Sequence, residues 1–178
     1  VFIRNAWVSE DAYITFRSVE QLFAGHGPRW NPHERVQAFT HPLWFGVMAA
    51  FRLVSRDVFA NGIVASFLCS GLALLVLARR LGYSGRWLLC VAALTASRAF
   101  VDFSSSGLEN PLSFLLLAVF LVCFLDEKQR GPKDAPASAR AVAWFFLLLA
   151  LGLCTRHALA TLLLPPVAYV AWRHRALG

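Results

Sequence analysis

Glu10 and Asp11 stand side by side where a short apolar stretch gives way to a polar one. Adjacent carboxylates in that position have three uses: taking a proton from an attacking hydroxyl, binding a divalent cation (Mg, Mn or Ca), or capping the helix that follows. Capping accounts for the pair with no chemistry at all. The same stretch carries Arg17, Arg29 and Arg35 with His26, His33 and His41. A guanidinium forms planar two-point bonds to phosphate oxygens and a histidine adds donors, so a phosphate is the natural guest. The plainer alternative is a loop whose arginines snorkel to lipid headgroups. No histidine pair has the spacing of a zinc protease.

A second constellation runs Ser104-Ser105-Ser106-Gly107-Leu108-Glu109-Asn110-Pro111. Its serines and glycine are turn residues, and Pro111 is tolerated in a first helical turn. Glu109 is the informative residue. It can be a first-turn acid favoured by the dipole, yet an ionisable group at a membrane edge is a functional candidate. Arg98 and Asp102 are placed to pair with each other. Arg156-His157 interrupts two apolar runs, either snorkelling or meeting a phosphate.

These groups must be positioned by a chain whose natural solvent is lipid. Of 178 residues 58% are hydrophobic and 15% charged, with a mean hydropathy of +0.57, more apolar side chain than a soluble core of this size can hide. The net charge of +7 does not indicate nucleic acid: 9 of the 17 Lys and Arg fall in three clusters between apolar runs, Arg79, Arg80 and Arg86, then Lys128, Arg130, Lys133 and Arg140, then Arg173 and Arg175. That is the positive-inside pattern. Cys69, Cys90, Cys123 and Cys154 are scattered through apolar runs without metal-type spacing or a nearby partner for a disulfide.

Five apolar runs, about 58 to 78, 87 to 101, 108 to 125, 141 to 155 and 158 to 172, predict five membrane helices, several short of the ~20 residues that span a bilayer and therefore tilted. The basic clusters put the loops after the first, third and fifth runs in the cytoplasm. The acids, Ser104–Asn110 and Arg156-His157 then share the outer face. Residues 1–7 read as the end of a truncated membrane helix, and the end at Gly178 as a truncation too. Residues 8–57 read as an outer loop with juxtamembrane helices. One is amphipathic, with Tyr13, Phe16, Val19, Leu22 and Phe23 opposite Arg17, Glu20 and Gln21, and lies along the interface. The stretch from His41 to Ser55 is apolar but only about 15 residues long and ends in charge, so it stays outside. Lys133 to Ser138 reads as a flexible linker.

Several motifs together are characteristic: Glu10-Asp11-Ala12-Tyr13-Ile14 with Arg17; Gly25-His26-Gly27-Pro28; Asn31-Pro32; Glu34-Arg35-Val36; Thr40; Pro42-Leu43-Trp44; Ser106-Gly107-Leu108-Glu109-Asn110; and Thr155-Arg156. In order and spacing they resemble the amino-terminal half of the GT-C fold membrane glycosyltransferases, above all the terminal arabinofuranosyltransferases of mycobacterial walls and their Gram-negative relatives. The resemblance implies an all-α GT-C membrane bundle with outer-face juxtamembrane helices in a bacterial inner membrane. It also implies transfer of a sugar, with inversion, from a polyprenyl-phosphate donor to a periplasmic acceptor: a cell-envelope glycan, lipopolysaccharide or a surface protein. Asp11 or Glu10 would then be the base or metal ligand. Arg17, His26, Asn31, Glu34, Arg35, His41, Glu109, Asn110, Arg156 and His157 would form the substrate site. The family pair is often Asp-Asp where this chain has Glu10-Asp11, and relatives often carry an acid after Arg-Pro where it has Arg156-His157-Ala158.

Two other classes fit a membrane chain. A flippase for a lipid-linked sugar would need polar residues at mid-bilayer or broken helices lining a path, and apart from Arg98 the runs are strongly apolar. A non-catalytic assembly subunit has no use for acids and arginines gathered on one face.

Overall fold

The computed structural model describes residues 4, 6–34, 36, 38–82, 85–129 and 138–177, with the backbone alone at 138, 139 and 174–177. Arg35, most of the first seven residues and all but Ser138 of the expected linker lie outside the described residues. The described elements are all helices, in the order α1 (Ala12–Phe23), α2 (Pro42–Val54), α3 (Val58–Leu81), α4 (Gly85–Ala96), α5 (Arg98–Phe103), α6 (Asn110–Gln129), α7 (Ser138–Thr155) and α8 (Leu159–Leu177).

Helix α3 starts where the Asp57 carboxylate accepts the Ala60 N–H at 3.0 Å, and it stops at Gly82, whose φ of +64° suits a residue without a Cβ. Helices α3 and α6 are long and apolar enough to cross a bilayer. Helix α2, with 13 residues, rises only about 20 Å. The run expected as one helix from 87 to 101 is two. Ser97 adopts an extended backbone after α4, and its hydroxyl accepts the Phe100 N–H at 3.4 Å to begin α5. Hydropathy continues unbroken across that serine, so the apolar pattern does not reveal the break. The expected Arg98–Asp102 pair forms one turn apart, with N and O 3.4 Å from each other.

Helices α3 and α6 pack lengthwise, and the α7–α8 hairpin closes on α6, its seam filled by Phe120 and Phe145, edge to face at 5.3 Å. Polar contacts tie one end of the bundle together. Arg80 near the end of α3 lies 2.7 Å from the Asp126 carboxylate near the end of α6, and Arg173 of α8 donates to the Glu127 carbonyl at 2.6 Å. The basic ends of α3, α6 and α8 thus gather together. Their starts meet α1, α2 and the segment 104–107 at the opposite end.

That opposite end is held by a buried loop. Ser104, Ser105 and Ser106 are wholly buried, and non-helical backbone at such depth must have its polar groups paired by protein. Ser70 donates to the Ser104 carbonyl at 3.3 Å, Ser66 accepts the Gly107 N–H at 3.2 Å, and the Ser9 N–H reaches the Ser106 carbonyl at 2.9 Å. The Trp44 indole, buried in α2, donates to the Gly107 carbonyl at 2.9 Å. Helix α1 lies over this loop. Its buried face is Ala12, Thr15, Phe16, Ser18 and Val19; of the expected apolar stripe Phe16 and Val19 are buried while Tyr13, Leu22 and Phe23 are exposed. Small and hydroxylated side chains permit the close approach that large ones would block.

Phe16 sets that approach. A Cβ at Gly62 would sit 2.5 Å from its ring. Gly62→Ala should therefore cost about 1–3 kcal/mol through overpacking, read as a lower midpoint of thermal unfolding in detergent. The companion Gly71→Ala meets open space in α3 and should leave the midpoint unchanged or raise it.

Candidate active site

At the acid-bearing end of the bundle the elements enclose a polar cavity of about 480 Å³. Asp11, Thr40, His41, Glu109, Asn110 and Arg156 supply its polar lining, and Ile14, Phe39, Phe103 and Leu108 most of the rest. These residues come from five separated places: the start of α1, the segment before α2, the end of α5, the start of α6 and the α7–α8 turn. Of the residues expected from sequence to form a site, Asp11, His41, Glu109, Asn110 and Arg156 are brought together here.

Asp11 occupies the N-cap position of α1, but its backbone is helical (φ −63°, ψ −24°) and its side chain makes no capping hydrogen bond. Among the described residues the carboxylate has no hydrogen-bond partner, which leaves its oxygens to the cavity it lines. The capping role that alone could explain an acid here is not in use. Glu10 is exposed and outside the cavity lining, its carbonyl accepting the Tyr13 N–H at 3.1 Å.

Arg156 is aimed by Asn110, whose side-chain oxygen accepts from the guanidinium at 2.7 Å. His41 is held from both sides. Its Nε2 is 2.7 Å from the Thr15 hydroxyl, and its Nδ1 is 3.6 Å from a Glu109 carboxylate oxygen, near enough to attract but too long for a hydrogen bond. Burial lowers the His41 pKa and the Glu109 charge raises it in part, for a net lowering. His41 is accordingly neutral at pH 7.

The other expected site residues sit elsewhere. Arg17 donates to the Trp30 carbonyl at 2.9 Å and to Asn31 at 3.0 Å, with its guanidinium 4.6 Å from the Trp30 ring centre. Asn31 passes a hydrogen bond of 3.1 Å to Glu34, and His26 pairs with Gln21 at 2.8 Å. These four staple the segment between α1 and α2. His157 is exposed in the turn beside Arg156, outside the lining. Thr15 beside His41, and Phe39 and Phe103 in the lining, lie outside the sequence motifs. A helical wheel puts Thr15 one turn after Asp11 on the same face, a signal present in sequence; the two phenylalanines carry none.

Among the described residues no three His, Cys, Asp or Glu side chains group so as to hold a metal ion. Glu10 lies outside the lining that Asp11 joins.

A second cavity of about 560 Å³ abuts the first. It runs between α3, α4, α5 and α6, lined by apolar side chains such as Leu74, Leu77, Phe114 and Leu121. Phe103, Asn110 and Arg156 line both cavities. The arrangement suits a molecule with a long apolar tail, an anion at the junction and a polar head.

No family model matches the chain, and no solved structure does. Two curated proteins do, both terminal β-(1→2)-arabinofuranosyltransferases. The one from Mycobacterium tuberculosis is 26% identical over 144 residues, covering 72% of this chain and 23% of that protein. The one from Corynebacterium glutamicum is 50% identical over 38 residues, 21% of this chain and 6% of that protein. The chain thus spans less than a quarter of the length of these relatives. It is a distant homologue of a terminal arabinofuranosyltransferase, which supports a glycosyltransferase role at the level of the family.

Proposed function

We propose that the protein is a membrane glycosyltransferase of GT-C type that uses a polyprenyl-phosphate sugar. Arabinofuranose is the sugar that the resemblance suggests. The acceptor is a cell-envelope glycan, lipopolysaccharide or a surface protein, and the cavity faces the periplasm from a bacterial inner membrane. In this reading residues 58–178 cross the membrane five times, α4 and α5 together making one crossing. The observation that carries it is the junction: a polar cavity and an apolar groove share Phe103, Asn110 and Arg156.

The polyprenyl tail lies in the groove between α3 and α6, where its burial supplies binding free energy. The phosphate sits at Arg156, oriented by Asn110, and the sugar projects into the polar cavity toward Glu109, which accepts hydrogen bonds from its hydroxyls. An acceptor hydroxyl then attacks the anomeric carbon from the face opposite the phosphate. Its proton passes to the Asp11 carboxylate while the bond from the anomeric carbon to the phosphate oxygen breaks. The electron pair leaves on polyprenyl phosphate, whose growing charge Arg156 stabilises. One displacement inverts the anomeric centre.

The test is transfer of labelled arabinofuranose from its polyprenyl-phosphate donor to cell-envelope glycan, in membranes carrying the complete protein. Wild type should transfer. Arg156→Gln should raise the KM for the donor about tenfold or more, the size of a lost charge-assisted contact. An unchanged donor KM in Arg156→Gln would remove the phosphate from this junction. Failure of the wild type with every polyprenyl-phosphate pentose offered would remove the reaction.

A further inference from the structure

Thr15 and His41, which the transfer step itself does not use, join the sugar-facing Glu109 in a chain of contacts. Thr15 is 1% exposed on the inner face of α1, and both His41 and Glu109 side chains are 14% exposed. Few waters can therefore substitute for the contacts they make. The histidine carries its neutral proton on one nitrogen only, and the surroundings choose which. A bare Nδ1 lone pair 3.6 Å from the Glu109 carboxylate would be repelled, whereas an N–H there is attracted. Nε2 must then accept, and the Thr15 hydroxyl at 2.7 Å is its donor.

Resting on the glycosyltransferase reading, we propose that Thr15 and His41 are positioning residues that hold the Glu109 carboxylate toward the sugar and draw it away on acidification. With His41 neutral, the attraction of its Nδ1–H fixes the rotamer of Glu109 and leaves the carboxylate's remaining lone pairs for sugar hydroxyls. Protonation converts the contact to a full ion pair, which draws Glu109 from the sugar. The other charged groups lining the cavity are Asp11 of α1 and Arg156 of the α7–α8 turn. The charge that acts on His41 is that of Glu109. Because burial holds His41 below its usual range, the switch operates on the acidic side of that range.

Thr15→Val keeps the side chain's shape and removes the hydroxyl, while Thr15→Ser restores it. In the transfer assay Thr15→Val should lower kcat/KM about tenfold, mainly through the KM for donor, consistent with loss of one hydrogen bond of about 1.4 kcal/mol. The acid limb of the pH profile should move, because the threonine no longer favours the neutral tautomer. Thr15→Ser should return both to within about twofold of wild type. A second measurement needs no activity. In the purified protein, ¹⁵N spectra of the histidines, with His41 assigned by its loss in His41→Gln, should show the tautomer protonated at Nδ1. The alternative tautomer, or a Thr15→Val pH profile superimposable on wild type, would overturn the proposal. An inactive wild type that nevertheless shows the Nδ1 tautomer would condemn the transferase reading and leave the hydrogen-bond chain standing.

Discussion

Asp11→Asn lowers sugar transfer by about 100- to 10,000-fold at equal protein abundance, the range expected when a general base is removed. The substitution keeps size and shape and deletes only the ability to take a proton. Stability should be unaffected, because the Asp11 side chain caps nothing in α1. Glu10→Gln is the internal control: its carboxylate lies outside the cavity, and transfer should stay within about threefold of wild type, well short of the loss expected when a general base is removed. If Glu10→Gln proved the damaging change and Asp11→Asn the mild one, the base assignment would be reversed. If both transferred normally, neither acid would be the base.

The control matters because sequence left these two acids equivalent. Adjacent residues at a helix start share charge, depth and every compositional argument. What separates them is the rotation of α1, and that is fixed by which of its faces fits over the loop 104–107 and the Gly62 gap. The amphipathic reading of α1 placed Tyr13, Phe16, Val19, Leu22 and Phe23 along the interface. Contact with a close-packed neighbour buries Ala12, Thr15 and Ser18 beside Phe16 and Val19.

Long apolar segments were legible. The runs begun at 58 and 108 became α3 and α6, and the short stretch from His41 became a helix of juxtamembrane length. The segregation of charge was legible as well, since the basic ends of α3, α6 and α8 do gather away from Asp11, Glu109 and Arg156. Pairings over long separations were not. Arg17 has no sequence feature that distinguishes a phosphate ligand from a residue that stacks on Trp30 and binds its carbonyl. Ser66 and Ser70 read as small residues in an apolar helix, yet they complete the hydrogen bonds of a loop some 35 to 40 residues away. Hydropathy counts a serine as a weak interruption of an apolar run. A buried carbonyl counts it as a partner.

The loop held by those serines leads to the second large expected effect. Trp44→Ala should destabilise the protein by about 3–5 kcal/mol, the usual cost of emptying a fully buried aromatic site, and the folded protein should be scarcely recoverable in detergent. Two separable causes contribute. One is the cavity left between α2 and the bundle. The other is the Gly107 carbonyl, which loses the indole donor 2.9 Å away in a place water does not reach. Trp44→Phe isolates the second by keeping most of the ring volume, and it should cost about 1–3 kcal/mol. Gly107 directly precedes Leu108, Glu109 and Asn110 in the cavity wall, and its φ of +72° leaves no easy alternative path for the chain. Trp44→Phe should therefore reduce transfer more than its loss of stability alone requires, by shifting Glu109 relative to Asp11. Thermal unfolding and transfer measured on the same preparation test this. A destabilised Trp44→Phe protein with undiminished transfer per folded molecule would mean that the indole anchors the fold without setting the position of the cavity wall.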